Sequence, residues 1–403
     1  MSDRQFDLVV FGATSFVGQI MTRRLVERIG NDGPIRWAIA GRNADKLATV
    51  AADTGATVEH IVADAGDAEA MAALAASTHA VASTVGPYAL YGSDLVAAVA
   101  DAGTDYCDLT GEPQWMRKMI DAHHDTAVAS GARIVHACGF DSIPSDLGVW
   151  FTQQRAIERF GTHCTAIAGR VKATRGGASG GTIASGFNLF EELRADPGLR
   201  KVLGNPYALA PDGMRTGRRQ PNVVRPTDDE ASGAWVAPFI MAATNTRIVH
   251  RTHALLGRPW GDEFTYDEAM ITGTGPMGVI KAGAVSGGLG AFGLAGMFGP
   301  PRSLLRKVLP EPGEGPSPEE QESGFFDIRF FGRTEDGDEI VTKVTGDRDP
   351  GYGSTARMLA ESVLAFADTP RDATGFLTPA TAFGDLLVDR LVADAGLTFD
   401  VVD

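Results

Sequence analysis

Residues 6–18, FDLVVFGATSFVG, decide the fold. An apolar run containing β-branched Val9 and Val10 ends at Gly12, and residues 15–29 then repeat apolar side chains at helical spacing. The pattern predicts a strand, a tight turn and a helix. A helix N-terminus carries N–H groups without intrahelical acceptors and a partial positive charge, and glycine lets a pyrophosphate approach that backbone. The dinucleotide fingerprint is G-x-G-x-x-G or its relative G-x-x-G-x-x-G; here Gly12 and Gly18 are in place and Ser15 takes the middle slot. Alone, the turn has two readings. Gly12, Thr14, Ser15, Phe16, Val17 and Gly18 form a cofactor cradle, or the glycines serve only packing.

Working outward, strands are expected at 35–40, 57–62, 80–85, 105–109 and 133–137, with helices at 44–53, 67–77, 91–102 and 113–130 between them. Six β units separated by helices predict an α/β fold with a doubly wound parallel sheet over residues 1–140. In such sheets ligands sit beyond the carboxyl ends of the strands. After the second strand an NAD enzyme places Asp or Glu; this chain has Ala40, Gly41 and Arg42, with Lys46 one helical turn on. A guanidinium without a neighbouring acid suits a 2′-phosphate, so NADP(H) is favoured over NAD. Asp64 follows the third strand, where it can accept from an adenine amino group. Thr84, Val85, Gly86 and Pro87 follow the fourth, a small-residue turn with room for the nicotinamide ribose.

At 403 residues and 44% hydrophobic content, the chain is long enough for two cores. A formal net charge of −15 argues against nucleic acid, or an anionic membrane surface, as a partner held by charge. The basic run at 215–219 reads as solvated loop. Residues 1–5 are polar and the apolar run after them is too short for a secretory signal, so cytoplasmic residence is expected. Cys107, Cys138 and Cys164 are odd in number and widely spaced, which suggests buried thiols; no disulfide framework and no metal site is expected.

The fifth and sixth strands end in polar clusters, DYCDLTGE at 105–112 and CGFDSIPSD at 138–146. Together GATSFVG, AGR, the GPY turn, YCDLTGE, GFDSIPSD and a later SGGT resemble the saccharopine dehydrogenase-like oxidoreductases, most closely their trans-acting enoyl reductase branch, which is associated with lipid biosynthesis. The resemblance covers nearly the whole chain. It implies a Rossmann-type doubly wound sheet with an inserted α+β second domain, nicotinamide-dependent reduction, and an acyl or lipid-like small-molecule substrate whose polarised C=C, or alternatively C=N or C=O, is reduced. Ser15 departs from the commoner glycine. A lysine-pathway saccharopine activity is disfavoured, because the second domain lacks a clear arginine cluster for several carboxylates.

Asp108, Glu112, Asp141 and Asp146 crowd the expected cleft. Tyr88, Glu112 and Asp141 are candidate substrate contacts, and Asp141 and Ser142 candidate catalytic groups. The competing role for Asp141 or Ser142 is to cap the helix that Pro144 opens, as Thr110 would cap the one at Pro113.

The second domain, 141–350, is expected to hold the substrate and any homodimer contact. Residues 163–174 alternate like an antiparallel strand, and RGGASGGTIASG then leads into a helix at 183–195. Gly180, Gly181 and Thr182 offer backbone N–H groups to a carboxylate, a thioester carbonyl or a phosphate, or simply form a hairpin loop. Residues 199–232 should loop over the surface, 235–240 and 263–272 form strands, and His250 and His253 between them are structural or surface residues. Within an apolar segment at 276–300, residues 282–300 carry no charge. They read as a buried helix pair, as an apolar element serving a lipid substrate, which is preferred, or as a peripheral contact with the inner face of the plasma membrane. An acidic linker is expected at 309–322 and a hairpin at 325–346. Tyr352, between two glycines, is a proton donor or a packing plug. Residues 351–403 are expected to return to the first domain. The function so predicted is an NADP-dependent oxidoreductase, with a cofactor-bound regulatory or lipid-binding protein of the same fold as the alternative.

Overall fold

The computed structural model describes residues 4–176, 180–297 and 315–402, the side chains of 180–184 and 295–297 excepted. Over the first third of the chain the alternation becomes strands β1 (Phe6–Phe11), β2 (Trp37–Gly41), β3 (Glu59–Val62), β4 (Thr78–Ser83), β5 (Asp105–Asp108) and β6 (Arg133–Val135). Between them lie helices α1 (Phe16–Ile29), α2 (Ala44–Thr54), α3 (Ala68–Ser77), the short α4 (Tyr88–Tyr91), α5 (Ser93–Ala102) and α6 (Pro113–Ser130). β1 sits at the centre, paired in parallel with β2 through Val9 and Ala38 and with β4 through Val9 and Val81. Covered by helices on both faces, it reads as a continuous apolar run.

Helix α7 (Ile143–Phe160) leads into the second sheet. Its strands are β7 (Cys164–Arg175), β8 (Thr227–Asp229), β9 (Ala234–Pro238), β10 (Thr265–Gly273), β11 (Phe325–Thr334) and β12 (Glu339–Gly346), with α8 (Gly180–Ala195), α9 (Leu199–Gly204), α10 (Ala242–Leu255), α11 (Gly275–Met297) and α12 (Pro318–Ser323) between them. A π-helical turn, Pro350–Ser354, then precedes α13 (Thr355–Asp368), β13 (Gly375–Leu377), α14 (Pro379–Asp394) and β14 (Leu397–Val402).

The first sheet runs β13-β6-β5-β4-β1-β2-β3 and is parallel throughout; the second runs β14-β12-β11-β7-β10-β9-β8. In the second only the β7–β10 pair is parallel. The C-terminal residues therefore serve both sheets. β13 extends the first beside β6, whereas β14 pairs with β12 of the second, so 351–403 does not return to the first domain alone. One buried apolar cluster passes from Leu8 and Val10 through Ile143 and Leu147 of α7 to Phe326 and Phe330, and a hydrogen bond of 2.6 Å joins Thr152 to Thr342. The cleft between the sheets thus has a shared core beneath it.

The expectation of loop throughout 199–232 needs correction, and that for the two histidines is narrowed. The stretch between β9 and β10 is a helix, α10, with ten of its fourteen residues buried. His250 and His253, expected as structural or surface residues, are structural: they sit inside an aromatic cluster with Tyr207, Trp260 and Phe264, and burial pushes their imidazoles down to about 3 and about 4. The stretch 199–232 contains α9 and β8 as well as loop. The three cysteines are buried and unpaired. Residues 177–179, 298–300 and the first part of the expected linker, 309–314, lie outside the described residues.

Candidate active site

The carboxyl edge of the parallel sheet brings together the turns after β1, β2, β4, β5 and β6. In the first, Gly12 has φ +91°, and a methyl group built on Gly18 would stand 2.2 Å from the Gly12 carbonyl oxygen, so both positions require glycine. Ser15 caps α1, accepting from Gly18 N at 2.9 Å and donating to Thr84 Oγ1 at 2.9 Å; Thr84 in turn donates to the Gly12 carbonyl at 2.8 Å. Ser15 in the glycine slot therefore locks the turn. With Gly18 N taken, the N–H groups of Phe16 and Val17 at the helix start have no protein acceptor among the described residues. Two orphan donors at a helix N-terminus fit a pyrophosphate.

Gly41, the last residue of β2, lies against the Thr14 side chain. Arg42 and Lys46 follow on the exposed start of α2, and neither has an ion-pair partner among the described residues. No acid directly follows β2; Asn43 caps α2 by accepting from Lys46 N at 2.9 Å, and the first acid past the strand is Asp45 in the first turn of that helix. Exposed Asp64 accepts from Gly66 N at 2.9 Å through one oxygen. These groups fit the adenosine end of a nicotinamide dinucleotide.

At the other end, the fully buried Asp108 carboxylate takes His136 Nδ1 at 2.7 Å, Ala137 N at 3.1 Å and Thr110 N at 3.1 Å. It holds Ala137 in the left-handed region at φ 60°, a conformation that costs a non-glycine residue energy and aims the chain after β6 into the cleft. Phe140 N then donates to Thr355 Oγ1 at 2.9 Å, which ties this loop to the start of α13. The next residue is Asp141. The residue is half-buried and its carboxyl buried; the carboxyl accepts from no other residue among those described and stands against Gly111 beside Met241. Burial pushes it up to about 7, against its own backbone N–H, with the charges of Asp108 and Glu112 acting in the same upward direction. Asp146 is also pushed up to about 7 by burial, but it accepts from Thr252 Oγ1 and from Ala380 N and is occupied. Asp141 is thus a buried acid raised to about 7 whose carboxyl has no hydrogen-bonding side-chain partner among the described residues.

Relatives match this chain over nearly its whole length. A Mycobacterium tuberculosis protein provisionally named as a trans-acting enoyl reductase is 42% identical over 406 residues, covering 97% of this chain and 96% of its own. The trans-acting enoyl reductase of Mycobacterium ulcerans is 36% identical with the same coverage. The chain belongs to the trans-acting enoyl reductase family. No family model matches the sequence. Among solved structures, apo saccharopine dehydrogenase (L-Glu forming) from Saccharomyces cerevisiae aligns over 99% of this chain and 100% of that one, with a TM-score of 0.52 at 14% identity; this similarity concerns the fold.

In this member of the trans-acting enoyl reductase family, several expected site residues turn out to build the cleft instead. Tyr88 is buried, its hydroxyl donating to the Ser83 carbonyl at 2.9 Å and accepting from Leu109 N at 3.1 Å. Glu112 accepts from Tyr88 N, Ala89 N and Ser185 Oγ at 2.9–3.0 Å, although burial raises its carboxyl. Both side chains are committed to these internal hydrogen bonds. Thr84 is likewise committed to the glycine turn, which leaves half-buried Val85 and Pro87 and exposed Gly86 to line the ribose side. Ser142 stands at the N-cap position of α7 without a capping bond; it is buried and donates to Asn245 Oδ1 at 3.0 Å. The helix start makes little demand for a cap, because Ile143 N donates to Gly139 O and Pro144 has no N–H. Asp141 does not cap it either, and Thr110 Oγ1 accepts from Glu112 N within its own turn. Tyr352 is buried edge-on against Phe16, with ring centroids 5.1 Å apart, so it packs over the start of α1. Gly180, Gly181 and Thr182 form the first turn of α8.

The sequence reasoning missed the floor supplied by α10. Thr244 Oγ1 donates to the Gly111 carbonyl at 3.0 Å, and Asn245 Nδ2 donates to the buried Glu268 of β10 at 2.8 Å. The first contact joins the two domains across 133 residues of sequence and the second ties α10 to its own sheet across 23, and nothing local in the sequence signals either.

Proposed function

We propose that the protein is an NADPH-dependent reductase of an α,β-unsaturated acyl thioester, a lipid-like enoyl substrate. The observation that carries this reading is Asp141, an unpartnered acid near neutral pKa on the same sheet edge as the glycine turn. The names of the relatives support the enoyl substrate, and the resemblance to enzymes of lipid biosynthesis supports a long acyl chain.

The protein's part is orientation and one proton. Phe16 N and Val17 N hold the pyrophosphate, Arg42 and Lys46 the 2′-phosphate, and Asp64 the adenine end. The bound reduced nicotinamide supplies hydride to the carbon β to the thioester carbonyl. Asp141 donates its proton to the α carbon, and the two transfers leave a saturated thioester and the oxidised cofactor. Burial, with the charges of Asp108 and Glu112, disfavours the resulting carboxylate, so Asp141 takes up a proton from solvent again before the next turnover. Asp108 and Ser142 act on this acid through backbone and loop position, and they are positioning residues.

Cofactor preference tests the reading. Arg42→Ala should weaken NADPH binding by about 10- to 100-fold, the loss of hydrogen bonds to a charged group, and leave NADH binding unchanged. Fluorescence titration of both nucleotides measures this. Equal affinities of both proteins for NADPH contradict the assignment.

A further inference from the structure

Helix α11 is built unlike the rest of the molecule. At ~1.5 Å per residue its 23 residues extend about 34 Å, and it is long and apolar enough to cross a membrane. Only 11% of its most apolar window is buried. The buried stripe, Gly278 and Ala282, lies against β9 and β10; Thr272 Oγ1 donates to the Gly278 carbonyl at 2.9 Å, and Phe292 meets Phe187 of α8 with centroids 6.3 Å apart. On the opposite face Met277, Ile280, Ala284, Gly287, Ala291 and Leu294 recur at spacings of three and four, all exposed. Met277, Ile280 and Leu294 are 60%, 62% and 58% exposed, an apolar stripe of a kind that marks an interaction surface.

Charge selects the occupant. Between Glu268 and Glu311 the chain has no acidic residue, although it contains 51 elsewhere, and it has four basic ones: Lys281 on the helix, and Arg302, Arg306 and Lys307 following it in sequence. The net charge of −15 therefore conceals a local reversal in the sequence that contains this helix. A two-fold dimer through this face would bring together two copies of exposed Lys281 with no acid on the helix to pair them. A phospholipid surface satisfies both features, taking apolar side chains at the acyl boundary and cations at the phosphates.

We propose that α11 docks the protein on an anionic phospholipid bilayer, with Met277, Ile280 and Leu294 inserted at the acyl boundary and the helix lying in the plane of the interface. The stripe packed on β9 and β10 keeps it from spanning. Because α8 touches α11 through Phe187 and the cleft rim through Ser185 and Glu112, the docked protein holds its cleft one helix away from the lipid.

Flotation of the full-length protein with phosphatidylcholine vesicles, and with phosphatidylcholine vesicles containing phosphatidylglycerol, tests this independently of any cofactor. Binding is expected to the anionic vesicles, to weaken in high salt, and to fall about tenfold or more in Ile280→Glu and again in Leu294→Glu. Both positions are exposed, and unchanged near-ultraviolet circular dichroism verifies that the variants fold. Absence of binding to either vesicle, or binding that both substitutions leave intact, overturns the proposal. So does a dimer in lipid-free solution that the same substitutions dissociate, which would assign the face to a second copy.

Discussion

Asp141→Asn should lower turnover by roughly 100- to 10,000-fold, the range over which a positioned acid accelerates proton transfer, while leaving NADPH affinity unchanged. The substitution preserves shape and removes the proton. The carboxyl contacts no other residue among those described through a hydrogen bond, so the fold should tolerate the amide. The pH profile gives the second readout. The donor is the protonated form of a group lying at about 7, so kcat should fall as pH rises through neutrality. In Asp141→Asn that fall should vanish with the activity it governs. A variant that keeps both the rate and the alkaline fall places the acid elsewhere. Asp146→Asn is the matched comparison: it removes a carboxyl of similar elevation that is already committed to Thr252 and Ala380, and its principal effect should be on stability.

Gly18→Ala should nearly abolish nucleotide binding. The added methyl group would stand 2.2 Å from the Gly12 carbonyl oxygen and 2.8 Å from Ala13 Cα, and these are backbone atoms that cannot rotate away. Helix α1 must then shift from the end of β1, breaking the bond from Gly18 N to Ser15 Oγ and displacing the N–H groups of Phe16 and Val17. Overpacking of this kind costs about 1–3 kcal/mol in stability, and the displaced donors should weaken NADPH and NADH binding alike. This loss without nucleotide preference distinguishes the turn from Arg42. Calorimetric titration with both nucleotides, and the urea midpoint for stability, measure the two effects. Retention of wild-type affinity for either nucleotide would mean that the α1 N-terminus does not hold the pyrophosphate.

The parallel sheet was legible because each strand of the first domain ends in a glycine or polar turn and each following helix shows its own period. Arg42 and Asp141 were legible as residues just past strand ends. Their neighbours' roles were not. Tyr88 and Glu112 are polar residues at a strand end, as a substrate site would have, yet Glu112 is taken up by the backbone N–H groups of Tyr88 and Ala89 at the start of α4, a pairing made across 24 and 23 residues. Ser142 has the composition of a cap, but its acceptor, Asn245, arrives from a helix 103 positions away that the sequence pattern concealed by being buried all round. β13 has three residues, too few for a periodic signal, and its pairing with β6 is purely tertiary. For 282–300 the sequence left burial, lipid service and membrane contact open; exposure of the stripe from Met277 to Leu294 speaks against burial of that part and does not choose between the other two.

The most direct test of the central claim is simultaneous measurement of NADPH oxidation and product with a long-chain trans-2-enoyl thioester as the only other reactant. The account predicts one saturated thioester formed for each NADPH oxidised, in a reaction that Asp141→Asn suppresses. NADPH binding with no oxidation on enoyl, imine or carbonyl substrates would contradict it and leave a cofactor-bound regulatory protein of the same fold.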